Sequence, residues 1–528
     1  MYEELRSKTK IWIRMKNYLP YYRLRESKTD ERRKTGDLRS DLRTPIESDY
    51  GRLVFSSAFR RLHDKTQVFP LTTNDNIHSR LTHSIEVASV GKSFALKVCG
   101  DKEIAGKLGF KTDSVVLWKD VSALMEVICL AHDIGNPPLG HFGETAIQNY
   151  FTDLFSTLKH DLENNNKANP IIRSEMERIG ANLDGDIPQE IYKSIDDFVN
   201  ERNYTCYDYT QFDGNAEGFR ILTKLQFLND LYGLNLTAAS LAASVKYPNV
   251  AKLEKKKGDI KPPISQKKHG VFFTEKHYLD DVMGECEIEH INEYSYRRHP
   301  FAYLMEAADT ICYLLMDLED AISKGWLTYY DVTTVLKRIK KGDEIVRRAG
   351  NHFLENDPEK KKIVQLRTEL MISMVNECFD NFKRHFDDIE EGKYKEELVF
   401  ENKEGLGKLL QDFSKAKVYS HKDIEALELT GSAVITGLFD YYIKYLFHHE
   451  ESYRLHAKHT LSKTVFMTTL QEHLLYENVS KPAWDVYDDF DPKDLAFEEK
   501  LRIIRDHVAC MTDKYAVDQY RKLSGQSI

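Results

Sequence analysis

AHDIGNPPLGHFGE, residues 131–144, is the stretch on which the reading of this chain turns. It follows Val121–Ala131 (VSALMEVICLA), a run of good helix formers that is apolar almost all round and so predicts a buried helix. That helix delivers His132 and Asp133 at its C-terminal end, and Gly135, Pro137, Pro138 and Gly140 cannot continue it. Two further residues share this chemistry: His83 upstream and Asp309 downstream. Two imidazoles and two carboxylates can meet on one divalent ion and leave positions for water and a phosphate oxygen. Such a donor set suits Mn, Fe, Co, Ni or Zn, and Mg less readily. A lone His-Asp dipeptide is more often structural; here the Gly/Pro loop with His141 and Glu144 behind it gives the pattern its weight.

The flanking segments extend the pattern. In HSRLTHSIEVASVGKSFA, residues 78–95, an apolar face of Ile85, Val87, Ala88, Val90 and Phe94 predicts a helix with Arg80 and His83 near its start on one side. Arg80 would offer a guanidinium to a bound phosphate. The run Phe301–Ile322 (FAYLMEAADTICYLLMDLEDAI) predicts a second long buried helix. Asp309, Tyr313 and Asp317 fall on one stripe of it, extended by Glu306 and Asp320. Carboxylates on such a helix need partners. A seam facing solvent or salt-bridged elsewhere is the ordinary explanation; the narrowness of the seam favours a cleft.

The 528 residues are 41% hydrophobic and 30% charged, enough for a large core and for about two to four domains by length. The net charge of -9 leaves no global basic field to attract nucleic acid. Seven scattered cysteines without CxxC spacing, Cys129 and Cys312 among them in apolar helical patterns, read as buried thiols of a reducing compartment. The first residues lack the apolar core of a signal peptide, and no run is long enough to span a membrane, so the expectation is a cytoplasmic protein without a membrane segment.

Helical signals dominate, so the expected class is all-α with a minor β element, a weak strand signal lying in HGVFFTEKHY, residues 269–278. Residues 161–170 and the lysine-rich 252–268 read as surface insertions. A soft change of composition near Asp331 suggests a core over 1–330 and a helical accessory region over 331–528. No internal repeat of solenoid type is present.

The order H…HD…D, together with SDYGRLVFSSAFRRLHDKTQVFPL (48–71), RLTHSIEV (80–87), FDGNAEGFR (212–220), RHPFAYLMEAADTICYLLMDLEDAI (298–322) and MTDKYA (511–516), resembles the deoxyguanosinetriphosphate triphosphohydrolase family of the HD superfamily. The strong matches cover the first three-fifths and the extreme C-terminus. The resemblance implies an HD-domain helical core and His83, His132, Asp133 and Asp309 as ligands of a divalent ion, Mn or Mg, with Fe, Co, Ni or Zn also compatible. It implies His141 and Glu144 as a catalytic pair, and Gln67, Arg80, Lys246, Tyr313 and Asp317 as substrate contacts: Arg80 and Lys246 for phosphate, Gln67, Tyr313 and Asp317 for the deoxyribose. Asn215 and Arg220 belong to a patterned motif of structural character. The expected reaction is hydrolysis of a dNTP, dGTP foremost, to deoxynucleoside and triphosphate. Relatives of this kind also imply a homo-oligomer, dimer or hexamer, and admit single-stranded DNA as an effector.

Two other readings stand beside this one. The same four ligands would serve another HD phosphohydrolase acting on a nucleoside monophosphate, a cyclic nucleotide or a guanosine alarmone. A nucleic-acid-binding protein with a regulatory HD centre would use the lysine-rich 252–268, whose ordinary reading is a solvated loop.

Overall fold

The computed structural model describes residues 18–24, 43–67, 77–110, 114–200, 204–226, 231–250 and 263–526. Most of the lysine-rich stretch expected as an insertion, residues 252–262, and the N-terminal segment 1–17 lie outside the described residues. The described chain is a stack of helices with one two-stranded antiparallel ribbon, so the mostly helical class with a minor β element holds.

The helices that place the site, numbered along the chain, are α1 (Pro45–Val54), α2 (Arg80–Gly100), α3 (Val115–Ala131), α4 (His141–Glu163), α5 (Gly214–Arg220), α6 (Pro300–Ser323), α7 (Glu359–Arg384), α8 (Lys422–Leu446), α9 (Phe497–Ala509) and α10 (Asp513–Leu523). Their starts are chemically marked. Ser79 caps α2 in a capping box with Thr82, Ser114 caps α3, and Asp213 caps α5. Pro300 opens α6 at the first position, where its missing N–H costs nothing. The centre of the layer is α3, apolar on nearly every face, with α1, α2 and α6 packed around it. It begins six residues before the apolar run that identified it, because Ser114 supplies a cap.

Two hydrophobic clusters form the interior. The first gathers Phe94, Leu124, Ile128, Leu304, Ile311 and Leu370; the second gathers Phe151, Tyr209, Phe439, Tyr442, Leu501 and Val508. In the second, Phe151 meets Tyr209 at 4.9 Å and Phe439 at 5.0 Å between ring centroids, in edge-to-face geometry. Both clusters draw on residues from either side of Asp331. Residues 161–170 form the tight link from α4 to the next helix, with Asp161 accepting from Asn166 and Asn169.

Two expectations are corrected. The ribbon pairs His290–Asn292 with Ser295–Tyr296, and the segment 269–278 is no strand. There the Asp208 carboxylate accepts from the Phe273 and Thr274 amides, at 2.6 and 3.2 Å, in a short 3-10 turn, Phe273–Glu275, that leads into a helix over Lys276–Glu285. A remote side chain thus takes up the first amides of that turn, which the local sequence could not reveal. On α2, Val87, Ala88, Val90 and Phe94 are buried as expected, but Ile85 points outward and is 53% exposed. No helix among the described residues is long and apolar enough to cross a membrane.

Candidate metal centre and active site

The chain leaves α3 at His132, and the geometry there is set by one hydrogen bond. Nδ1–H of His132 donates to the Cys129 carbonyl at 2.7 Å. That makes Nδ1 the donor and leaves Nε2, buried and without a close hydrogen-bond partner, as the ring nitrogen at which a metal ion would take the place of a proton. Asp309 of α6 brings Oδ1 to 3.5 Å from that nitrogen and to 3.2 Å from Nε2 of His83 on α2. The two imidazoles meet edge-on, with centroids 5.3 Å apart. Three ligand atoms from three helices thus lie within 4.8 Å of one another. The unpartnered nitrogen and the mixed N/O donor set fit a divalent transition ion.

Asp133 lies beside this trio rather than within it. Its Oδ1 is 3.5 Å from Nε2 of His132, but it also accepts from the Asn136 side chain at 2.5 Å, and Oδ2 accepts from Nη1 of Arg80 at 2.7 Å. Burial pushes the Asp133 carboxyl up, yet Arg80 and the two histidines hold it well below the usual carboxylate range. Asp309 is likewise held low against its burial, by His132 and by Lys246. Burial alone would lower the His132 pKa; Asp133 and Asp309 overcome it and push it up to about 9. The two carboxylates favour positive charge between them.

Cations ring the trio. Lys246 Nζ lies 3.4 Å from the second oxygen of Asp309 and 3.6 Å from Glu306, which is itself held by Arg298 at 2.6 Å. Arg80 opens α2 and reaches across to the loop before α4: a Cβ on Gly140 would lie 2.7 Å from its Nη2. The loop also needs glycine at Gly135, where a Cβ would overlap the Gly218 amide and the Gly214 carbonyl of α5. This close approach lets the Gly214 N–H donate to Oε1 of Glu144 at 2.7 Å. The other Glu144 oxygen accepts Nδ1–H of His141 at 2.8 Å, across one turn of α4. Glu144 is buried, whereas the His141 side chain is 80% exposed. Burial raises the Glu144 carboxyl, but His141, Lys268 and the Gly214 amide together hold it below its usual value. His141 is therefore an exposed imidazole oriented from behind by a buried anion.

The stripe on α6 is partnered along its length. Tyr313 packs on the core, with Gln411 hydrogen-bonded to it. Asp317 accepts from the Tyr419 hydroxyl at 2.5 Å, and Asp320 accepts from His78 at 2.8 Å. Burial pushes the Asp317 carboxyl up to about 7, against the lowering effect of Tyr419. Gln67 stands at the end of the segment leading from α1, with its Oε1 buried and unpartnered. Arg52 and Arg60 donate to the Leu234 and Phe55 carbonyls. Arg220 is fully buried between Glu275 and Asp506, and Asn215 donates to Asp213 at 2.6 Å; both brace the fold.

Four residues here have partners that the sequence did not reveal. Lys268 bonds Asp213 at 2.8 Å, and the charges of Asp213 and Glu144 outweigh its burial to push it up to about 12. It sits at the end of a lysine-rich stretch and looked like a solvated charge. Tyr419 ends a π-helical turn, Lys415–Tyr419, a distortion that is common at functional sites but has no sequence signature. Glu306 was read as a flank of the stripe rather than as the brace of Lys246. Asn136, in the Gly/Pro loop, holds Asp133.

No protein-family model matches the chain. In sequence it is similar to a deoxyguanosinetriphosphate triphosphohydrolase-like protein of Listeria monocytogenes, 30% identical over 511 residues that span 94% of this chain and 98% of the relative. A protein of the same description from Listeria innocua is 29% identical over 513 residues, with 94% and 98% covered. The deoxyguanosinetriphosphate triphosphohydrolase of Yersinia pseudotuberculosis is 30% identical over 518 residues, spanning 90% of this chain and 93% of the relative.

Proposed function

This chain belongs to the deoxyguanosinetriphosphate triphosphohydrolase family, and on that premise we propose that it hydrolyses a deoxynucleoside triphosphate, dGTP foremost, to the deoxynucleoside and inorganic triphosphate. The observation that carries the reading is the convergence of His83, His132 and Asp309 beside Lys246 and Arg80, with His141 exposed nearby on a buried Glu144. Cations beside a donor trio are what a polyanionic ester needs.

In this reading His83, His132, Asp133 and Asp309 hold the divalent ion, Mn or Mg. Bound there, it would supply Lewis-acid polarisation of the α-phosphate and neutralise developing charge. Arg80, Lys246 and Lys268 take the phosphate oxygens, each already steered by a carboxylate that fixes its direction. Glu144 accepts the Nδ1 proton of His141, so Nε2 is the atom that meets substrate. From there His141 exchanges a proton with the attacking water or with the departing 5′-oxygen, which leaves poorly unless protonated. Tyr313, Asp317 and Gln67 bound the sugar. A 2′-hydroxyl placed against the Tyr313 ring would clash or stay unpaired, so ribonucleotides are rejected.

The same proposal makes the chain a cytoplasmic homo-oligomer, dimer or hexamer, with single-stranded DNA as an effector; light scattering and salt-dependent DNA binding test those parts. The central test is a product assay. Purified protein with dGTP and Mn should release deoxyguanosine and triphosphate; dGMP with pyrophosphate would reject the proposed bond cleavage.

A further inference from the structure

The loop before His141 is held in an unusual shape by a residue from the far end of the chain. Leu139 takes φ +65° and Gly140 φ +61°, so the backbone turns left-handed twice before α4 begins. Glycine does this freely; a leucine does so only where its surroundings hold it. Asp513, the first residue of α10, is what holds it. Its Oδ1 accepts the Leu139 N–H at 2.8 Å, while Oδ2 accepts the Thr66 N–H at 3.0 Å and the Thr66 hydroxyl at 2.5 Å. Asp513 is 3% exposed, and a carboxylate so buried needs such donors. Lys65 reinforces the tie by donating to the carbonyls of Asn136 in the loop and Ala509 at the end of α9. One carboxylate thus gathers the segment carrying Gln67, the loop between Asp133 and His141, and the C-terminal helices.

We propose that Asp513 is a positioning residue for the His141–Glu144 pair: it fixes the left-handed turn from which α4 starts, and with it the direction of the His141 ring. The proposal rests on the hydrolytic reading for its kinetic readout, while its structural readout is independent of that reading. The alternative is a staple that stabilises the fold and leaves catalysis alone.

Asp513→Asn keeps the size and loses one acceptor, so either Leu139 or Thr66 is released. Asp49→Asn is the control, because Asp49 is also buried and accepts from Thr237 and Ser240, with an ion pair to Arg23 at 2.8 Å besides, so it loses at least as much stability at a place remote from the loop. Hydrogen exchange over residues 134–144, kcat and KM for triphosphate release from dGTP, metal content and melting temperature are measured on both variants of the full chain. Asp513→Asn should speed exchange at Leu139 and lower kcat about tenfold or more, with KM within about twofold and metal content retained. Its pH profile for kcat should be displaced, because the direction of His141 has changed. Asp49→Asn should lose comparable thermal stability and keep kcat. Thr66→Val, which deletes only one hydroxyl donor, should show a smaller fall in kcat, and it reports should Asp513→Asn fail to fold. Unchanged exchange and kcat in Asp513→Asn, or kcat tracking melting temperature equally in both variants, overturns the proposal. Faster exchange at Leu139 in a protein whose wild type releases no triphosphate would overturn the functional reading instead and leave the tether standing.

Discussion

The Tyr419 hydroxyl donates to Asp317 at 2.5 Å, joining a π-helical turn of the C-terminal half to the α6 stripe across 102 residues. The pair closes one end of the proposed sugar pocket and tunes it. Burial has pushed the Asp317 carboxyl up to about 7, and Tyr419 is the largest influence pulling it back. Asp317 accepts a sugar hydroxyl best as the anion, so KM for dGTP should rise as pH falls below about 7. Tyr419→Phe should move that limb to higher pH, read as KM against pH. A limb that stays in place would remove Asp317 from sugar binding.

His141→Ala should lower kcat by about two to four orders of magnitude, the usual contribution of general acid–base catalysis. Its side chain is 80% exposed, so the melting temperature should scarcely move. Metal content, read by mass spectrometry of the purified protein, should be unchanged. Loss of metal together with activity would make His141 a ligand.

Chelation should abolish activity, and Mn should restore it. Asp309→Asn should lose metal and activity together, because Asp309 is the group that both imidazoles face. Retained stoichiometric metal in Asp309→Asn would place the ion elsewhere.

His507 links proton binding to stability. Ser462 donates to its Nδ1 at 3.1 Å and Nε2 lies 3.1 Å from the Tyr442 hydroxyl, so the neutral ring is satisfied and a second proton has no place. Burial pushes its pKa down to about 3, and burial likewise pushes His299 down to about 4. With the folded values below the unfolded value of about 6.5, their contribution is complete above that pH. It declines as pH falls, by about 1.4 kcal/mol per pH unit for each ring, until the folded value is reached. His507→Phe should therefore flatten the acid limb of a plot of unfolding free energy against pH. An unchanged slope between about pH 6.5 and pH 4 refutes this linkage.

Arg220→Ala should destabilise the fold by about 3–5 kcal/mol, since buried Glu275 and Asp506 would each lose the cation they share. Denaturant midpoints measure it. A cost below about 1 kcal/mol would mean that Lys224 and Arg505, which also contact this pair, suffice alone.

What was legible in the sequence follows the reach of helical periodicity. The pairing of His141 with Glu144 could be read from a three-residue spacing, and the seam of Asp309, Tyr313 and Asp317 from four-residue steps. The ribbon could not: the segment 269–278 carries a weak strand signal, but Asp208, 65 residues away, takes up the Phe273 amide there. Ile85 fitted the apolar face of α2 by spacing and still faces outward. Lys268, Tyr419 and Asp513 carry no local mark, because each gains its meaning from a partner on another element.

The sequence by itself determined that this is a helical protein, that a His-Asp pair ends one buried helix, and that a carboxylate stripe lines another, because each of these is a relation among residues within a few turns. The tertiary structure alone decided that Asp309 faces both imidazoles while Asp133 is engaged by Arg80 and Asn136, and that the loop before His141 is held by the last helix. Those outcomes depend on how helices cross and which buried charges end up within hydrogen-bond reach, and no spacing along one chain encodes a crossing.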